Sequence, residues 1–316
     1  MASTPLHLFP NPFSKPLVTQ TLPSPLLLKT ISCSLSSSPV SPPSTREEAI
    51  SQARSCLSST LQKPLNNPLH VPSPNLKKQR QPRYRVEVPI AADDASSLVS
   101  LSADLFSGMP LTKKGSSSTP IFLLLWPSPD LSDLACRSFI SDSSVLHSDV
   151  GSASDQLLRS ADLAAFLAPE ASMLEEIRML SSRLIPKPVV LFNPNWGFEE
   201  EKRFGSDLGR FVGSFDVVYS FMGLEVRGML SRRRGVVFRW ARDGVMSGEG
   251  WVVMVEAEEG KKKGKMVVVS RFKRRPAIGE VENVLYNLMA ANSPVTKSVK
   301  LLRDWASNIT GKKERL

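Results

Sequence analysis

The sequence predicts an α/β protein with one mixed sheet: a parallel, Rossmann-like first half extended by an antiparallel C-terminal meander, with helices packed on it. Three observations support this prediction. Short apolar segments alternate with helical ones up to about residue 215, as in βαβ units of a parallel sheet. Four strand-like segments then follow without an intervening helix. Apolar residues make up 41% of the 316 positions, which is enough for a packed core.

The fold is predicted to begin with a helix. Thr45 and Glu48 have the spacing of a capping box. Apolar residues then recur every three or four positions, as on one helix face, and they are Ile50, Ala53, Leu57 and Leu61. Residues 62–82 are rich in Pro, Asn and Lys, so we expect an irregular insert there.

The following segments predict the parallel half of the sheet. In residues 83–88, "RYRVEV", polar and apolar side chains alternate, which predicts a strand with one face in water. Residues 92–106 predict an amphipathic helix with two acids near its N-terminus. Three segments are apolar on both faces, as interior parallel strands are. They are residues 121–126 "IFLLLW", 161–168 "ADLAAFLA" and 188–192 "PVVLF".

Helices and one loop are predicted between these strands. Residues 130–139 predict a short helix, and residues 170–184 a helix that directs its apolar side chains inward. Those side chains are Met173, Leu174, Ile177 and Leu180. Residues 141–155, "SDSSVLHSDVGSASD", are predicted to be a loop.

The antiparallel meander is predicted from the segments after residue 215. The four strand-like segments are residues 216–228, 235–242, 251–257 and 266–272. Their separators are rich in Gly and charged residues, as turns and loops are. Helices are predicted at residues 279–291 and 298–307.

The first 46 residues have the composition of an organelle transit peptide. They contain no Asp and no Glu, but nine prolines and fifteen Ser or Thr residues. The prolines interrupt every apolar segment that a secretory signal would need, and the few arginines disfavour a mitochondrial presequence. We therefore expect a disordered chloroplast transit peptide at 1–44, a single α/β domain at 45–292, and a C-terminal helix with a basic tail at 293–316.

The loop after the strand at 188–192 is a candidate ligand or partner site, because ligands of open α/β sheets bind at the carboxyl ends of strands. Its candidate residues are Asn193, Asn195, Trp196 and Arg203. In one interpretation the two amides and the guanidinium bind an anion. In the other the loop is a rigid corner, with Trp196 packed against the sheet.

Positive charge is concentrated in the last third of the chain. Residues 224–316 contain 20 basic and 10 acidic residues. The candidate basic surface consists of Arg232, Arg233, Arg234, Lys261, Lys262, Lys263, Lys273, Arg274 and Arg275. These side chains suit solvated turns that protect sheet edges, an anionic membrane or acidic protein surface, or RNA. RNA is disfavoured because base-stacking aromatics do not lie within the basic clusters.

Sequence motifs of common enzyme classes are missing. The chain has no G-x-x-x-x-G-K-S/T, no G-x-G-x-x-G, no H-E-x-x-H and no G-x-S-x-G. Cys56 and Cys136 form no C-x-x-C pair, and His70 and His147 lack zinc-ligand spacing. We therefore predict no catalytic residue, no cofactor and no metal.

Several segments resemble a domain-of-unknown-function family of cyanobacteria and plastids. They are "REEAISQA", "YRVEVPI", "VVLFNPNW", "FVGSFDVVYSFMGLEVRG", "GVVFRW" and "WVVMVE", within residues 45–292. The family includes the chloroplast Low PSII Accumulation proteins, in particular the third of that name. The insert at 62–82 departs from the family's compact spacing.

The resemblance implies a chloroplast protein of the stroma or thylakoid periphery that assists photosystem II assembly or accumulation. The expected partners are photosystem II subunits, other assembly factors and the anionic thylakoid surface, with nucleic acid disfavoured. Two alternatives stay open from the residues alone. One is a plastid enzyme that binds a nucleotide or phosphometabolite through residues 193–203, and the other is a plastid RNA-binding protein.

Overall fold

The computed structural model describes residues 41–66, 81–89, 94–115, 118–139, 142–227, 232–241, 250–257 and 264–291. Several predictions lie outside these residues. They concern most of the leader, the middle of the insert, Lys261, Lys262, Lys263 and the segment 293–316.

Within the described residues the strands form one nine-stranded mixed sheet, which confirms the predicted fold class. The strands are β1 (Arg83–Glu87), β2 (Phe122–Trp126), β3 (Val145–Asp149), β4 (Leu163–Leu167), β5 (Val189–Phe192), β6 (Asp216–Arg227), β7 (Arg232–Trp240), β8 (Trp251–Glu256) and β9 (Met266–Phe272). Their order in the sheet is β3-β2-β4-β5-β1-β6-β7-β8-β9. β1 to β6 are parallel, and β6 to β9 pair antiparallel in sequence.

Helices cover both faces of the sheet. They are α1 (Arg46–Asn66), α2 (Ala95–Phe106), α3 (Pro129–Ser138), α4 (Asp155–Ser160), α5 (Leu174–Arg183), α6 (Gly205–Val212) and α7 (Ile278–Ala291), with short 3₁₀ turns at Ala171–Met173 and Glu200–Arg203. One core contains residues of α1, α2 and α3, which therefore define the first face. A second core contains residues of α4, α5 and α6 on the second face. On that same face α7 packs on the antiparallel strands through Val281, against Trp251 and Val253.

The apolar interior strands are buried as predicted, because helices lie on both sides of them. All five residues of β2 and all five of β4 are buried. α1 begins at the predicted cap, where the Thr45 hydroxyl accepts a hydrogen bond from the Glu48 amide at 3.1 Å. The Glu48 carboxylate in turn accepts from the Ser44 amide at 2.7 Å, which satisfies a further free amide at the helix start.

α1 continues into the predicted insert, so the prediction of irregular structure from residue 62 is wrong. The helix runs through Pro64 to Asn66. Leu61 and Leu65 are buried beneath its last turns. Their burial offsets the single backbone hydrogen bond that Pro64 cannot donate.

The predicted loop at 141–155 is also wrong. Val145–Asp149 form β3, which pairs with β2, and a short helix starts at Asp155. β3 lies at the edge of the sheet and has one partner strand. It therefore tolerates the polar sequence "VLHSD", which lacks the apolar pattern of the interior strands.

No helix in the described part of the chain combines the length and the apolar character needed to cross a membrane.

Candidate functional site

β1 lies between β5 and β6 in the middle of the sheet, so the prediction of a water-facing side is wrong. Arg85 is only 3% exposed. The 3₁₀ turn before α6 and the segment before α7 both supply side chains that contact this face of β1. The polar residues of β1 are therefore paired with other protein groups.

Four charged side chains form an ionic cluster on the second face, at the carboxyl end of β1. A guanidinium nitrogen of Arg85, Nη2, lies 2.7 Å from Glu87 Oε1, and its Nη1 lies 2.5 Å from Glu201 Oε1. Arg275 Nη1 lies 2.9 Å from Glu87 Oε1. The hydroxyl of Ser220, on β6, donates to Glu87 Oε2 at 2.5 Å. The ionic cluster of Arg85, Glu87, Glu201 and Arg275 thus contains two positive and two negative groups.

The cluster keeps its central groups charged. Burial opposes the charge of Glu87, but Arg85, Arg275 and the Ser220 hydroxyl outweigh it and hold the pKa of Glu87 below its usual value. Burial likewise opposes the charge of Arg85, yet Glu87 and Glu201 raise the pKa of that guanidinium. Paired in this way, Arg85 and Glu87 stay ionised at neutral pH and take up or release no proton. The arrangement supplies a structural clamp more readily than acid–base chemistry.

Arg275 holds the segment before α7 against the sheet. Its guanidinium lies 4.6 Å from the centre of the Phe198 ring and 5.2 Å from that of Trp251. Cation–π contacts of a partly desolvated guanidinium each contribute about 0.5–2 kcal/mol. Nearby, the Ile278 amide at the start of α7 donates to Glu199 Oε1 at 3.3 Å. The ionic cluster and the contacts of Arg275 therefore join the parallel half of the sheet, the antiparallel half and α7.

The predicted ligand loop is largely bonded to the backbone of neighbouring segments. Asn193 adopts a positive φ of 43°. Its side-chain Oδ1 accepts from the Val88 amide at 2.7 Å, and its Nδ2 donates to the Val88 carbonyl at 2.8 Å. The side-chain amide of Asn193 thus bonds both the amide and the carbonyl of Val88, as the backbone of a neighbouring strand would, and continues the pairing of β1 beyond its end.

The other loop residues do not converge with Asn193. Asn195 is exposed, and its backbone amide donates to the Pro169 carbonyl at 2.9 Å. Trp196 is 8% exposed, stacks edge-to-face with Phe204 and donates from Nε1 to Glu201 at 3.2 Å. Arg203 is exposed. The geometry therefore matches the rigid-corner interpretation, with Trp196 bonded to the ionic cluster.

The predicted basic surface is divided among several environments. Arg234 is exposed and pairs with Glu256 across β7 and β8 at 3.1 Å, while its neighbour Arg233 is half-buried on the opposite face. Arg232 is the first residue of β7 and pairs in register with Arg227. Lys273 and Arg274 are exposed, and Arg274 lies 3.4 Å from Glu280.

Arg275 departs from the predicted surface. Its side chain is 11% exposed because Glu87 and two aromatic rings draw it onto the sheet. In the sequence, Arg275 is the third of three consecutive basic residues, and nothing in that pattern indicates that its side chain faces the sheet. Among the described residues, no three His, Cys, Asp or Glu side chains come together as a metal site.

A family model described as "Domain of unknown function (DUF1995)" matches residues 43–283. The chain belongs to the DUF1995 family. The matched segment contains the whole sheet and the first part of α7, so the ionic cluster lies within the DUF1995 domain. No curated protein sequence matches the chain.

Two solved structures show a distant likeness to this DUF1995 domain. A KaiC-like protein from the archaeon Pyrococcus horikoshii has a TM-score of 0.28 and 10% identity over 60% of this chain and 90% of its own. The flagellar accessory protein FlaH from Methanocaldococcus jannaschii has a TM-score of 0.27 and 6% identity over the same shares.

Proposed function

We propose that this protein is a non-enzymatic chloroplast auxiliary factor that assists photosystem II assembly or accumulation at the stromal face of thylakoids. In this proposal its antiparallel half is the contact surface for the anionic thylakoid membrane. The observation that carries the proposal is the exposed positive charge on and beside the antiparallel strands, which extend beyond the parallel half.

The length of β6 makes the antiparallel half prominent. Ser220 of β6 pairs with Glu87, where β1 ends, and β6 then continues to Arg227. β7 pairs with β6 along this whole extension. The antiparallel strands therefore project past the carboxyl ends of β1 and β5.

Exposed basic side chains are distributed over this half. They are Arg234, Lys265, Arg271, Lys273 and Arg274. Each Lys or Arg near an anionic membrane contributes about 1 kcal/mol to binding. Such contacts are screened, since the Debye length falls from about 10 Å at 0.1 M salt to about 3 Å at 1 M. A surface of this kind binds an anionic membrane reversibly, and high salt releases the protein from it.

The compartment and the assembly role are supported by the sequence. The acid-free, Ser- and Pro-rich N-terminal segment has the composition of a plastid leader. The resemblance to the Low PSII Accumulation proteins supports photosystem II as the complex concerned.

The test is import of the full chain into isolated intact chloroplasts, followed by lysis and separation of stroma from thylakoids. We expect shortening of the chain by roughly the leader, partial recovery with thylakoids, and release by washing with high salt. The double variant R271Q/K273Q is expected to shift towards the stroma. The control K63Q/K114Q removes the same charge from exposed positions at the end of α1 and just beyond α2, and is expected to behave as the wild type.

Failure of the chain to enter chloroplasts would contradict the compartment. Thylakoid binding that resists salt, or equal loss of binding in both double variants, would contradict the proposed contact surface.

A further inference from the structure

An open groove lies between α5 and α6 on the second face of the sheet, beside the start of β1. Its volume is about 440 Å³. The walls that matter here are Arg83, Arg178, Met179, Asp207, Arg210 and Phe211. Three guanidinium groups and one carboxylate give these walls a net positive charge. The groove is at the amino end of β1, whereas the ionic cluster is at the carboxyl end.

Arg83 is held in a fixed position at this groove. Its Nη1 donates to the Ser214 hydroxyl at 2.9 Å and its Nε donates to Gln81 Oε1 at 3.1 Å. The guanidinium carbon lies 4.9 Å from the centre of the Phe211 ring. A guanidinium oriented in advance loses little conformational entropy on binding an anion.

The other two arginines are available for exchange of partners. Arg178 pairs with Glu175 at 2.8 Å and Arg210 pairs with Asp207 at 2.6 Å, each within one helical turn. The side chains of Arg178 and Arg210 are 48% and 79% exposed. Exposed ion pairs of this kind contribute little to stability, because solvent screens them. A carboxylate arriving from another molecule therefore competes with Glu175 and Asp207 at little cost.

The groove also offers an apolar contact. Met179, on α5, lines the groove and is 59% exposed. Arg and Met are enriched at protein–protein interfaces, and a flexible methionine adapts to different apolar partners. Small-molecule sites normally enclose most of their ligand, which an open groove between two exposed helices does not do.

We propose that this groove binds an acidic segment of a partner protein, with carboxylates against Arg178 and Arg210 and an apolar side chain against Met179. The proposal rests on the proposed function, since it supplies the contact to an assembly partner. The chain's own C-terminal segment is excluded by charge: residues 293–316 contain six basic and two acidic residues. Because the groove lies apart from the projecting antiparallel strands, the protein can bind a partner and an anionic membrane at the same time.

The test uses the full chain and a fluorescein-labelled peptide of sequence EELEELEELEE, with QQLQQLQQLQQ as the uncharged control, in a fluorescence anisotropy titration. We expect saturable binding of the acidic peptide alone. R178Q/R210Q is expected to raise its Kd about tenfold, because two exposed charge contacts are lost. M179S is expected to raise the Kd severalfold, and R271Q/K273Q, which removes equal charge from the antiparallel half, is expected to leave it unchanged.

Three results would overturn the groove as an acidic-segment site. They are no saturable binding of the acidic peptide, an equal loss in R271Q/K273Q, and full displacement by millimolar inorganic phosphate, which would indicate a small-anion site. Unchanged thermal unfolding of the variants establishes that they are folded. This assay contains no membrane, so its failure is distinguishable from failure of thylakoid binding.

Discussion

Arg275 and Glu87 are 188 positions apart in the chain, and their side chains meet with Nη1 of the arginine 2.9 Å from Oε1 of the glutamate. Glu87 ends β1 in the middle of the sheet, and Arg275 precedes α7. The contact therefore fixes α7 to the parallel half. Because both side chains are less than one-fifth exposed, the pair is shielded from the solvent screening that weakens surface ion pairs.

Removing Arg275 is expected to destabilise the protein strongly. R275A leaves the buried Glu87 with fewer positive partners and removes two aromatic contacts, so we expect a loss of about 3–5 kcal/mol in the free energy of unfolding. The measurement is urea unfolding followed by circular dichroism. The neighbouring R274A is the matched control, because Arg274 is 84% exposed and its pair with Glu280 is screened by solvent. Equal stability of the two variants would show that the cluster is not a clamp.

Asn193 is expected to matter for stability and Asn195 is not. N193A removes two hydrogen bonds to the Val88 backbone, and at a φ of 43° it replaces Asn with Ala, which tolerates the left-handed region less well, so we expect a loss of about 1–3 kcal/mol. N195A changes an exposed side chain and is expected to have an effect within about 0.5 kcal/mol. Chemical denaturation of both variants tests this difference. A large effect of N195A, with none for N193A, would contradict the structural role of Asn193.

His147 is expected to make stability depend on pH. Burial between Trp126 and Phe139 lowers the pKa of His147 from 6.5 to about 4. The folded state therefore holds the neutral imidazole, while the unfolded chain takes up a proton near pH 6.5. The favourable contribution is complete above pH 6.5 and is lost as the pH falls from about 6.5 to about 4.

The measurement is the free energy of unfolding between pH 7.5 and 4 for the wild type and H147Q. Glutamine retains an acceptor for the Trp126 indole, which donates to His147 Nδ1 at 3.1 Å, but it does not titrate. The variant should have a flatter profile in this pH range. Identical slopes for both proteins would show that His147 is not shielded from protonation.

The sequence predicted those parts of the fold that depend on local pattern. β2, β4 and β5 are apolar on both faces, and the meander follows from closely spaced strand segments, so both were predictable. β3 was missed because an edge strand needs less apolar surface. The continuation of α1 past residue 62 was missed because Pro64 suggests a helix end, while the burial of Leu65 is a tertiary effect.

The ionic cluster was not predictable from periodicity. A strand with alternating charges has the same pattern whether its polar face meets water or partners from distant segments. Glu201 and Arg275 are 116 and 190 positions from Arg85, and their contributions appear only once the chain is folded. One local signal could have predicted part of the cluster. Arg85 and Glu87 have opposite charges and are two positions apart, which places them together on one face of a strand.

The most direct test of the proposed function is the amount of photosystem II in chloroplasts that lack this protein, measured as reaction-centre subunits relative to total thylakoid protein. We expect a decrease that the wild-type chain and K63Q/K114Q restore, and that R271Q/K273Q restores poorly. Normal photosystem II levels without the protein, or full restoration by R271Q/K273Q, would contradict an assembly role that depends on the basic antiparallel half.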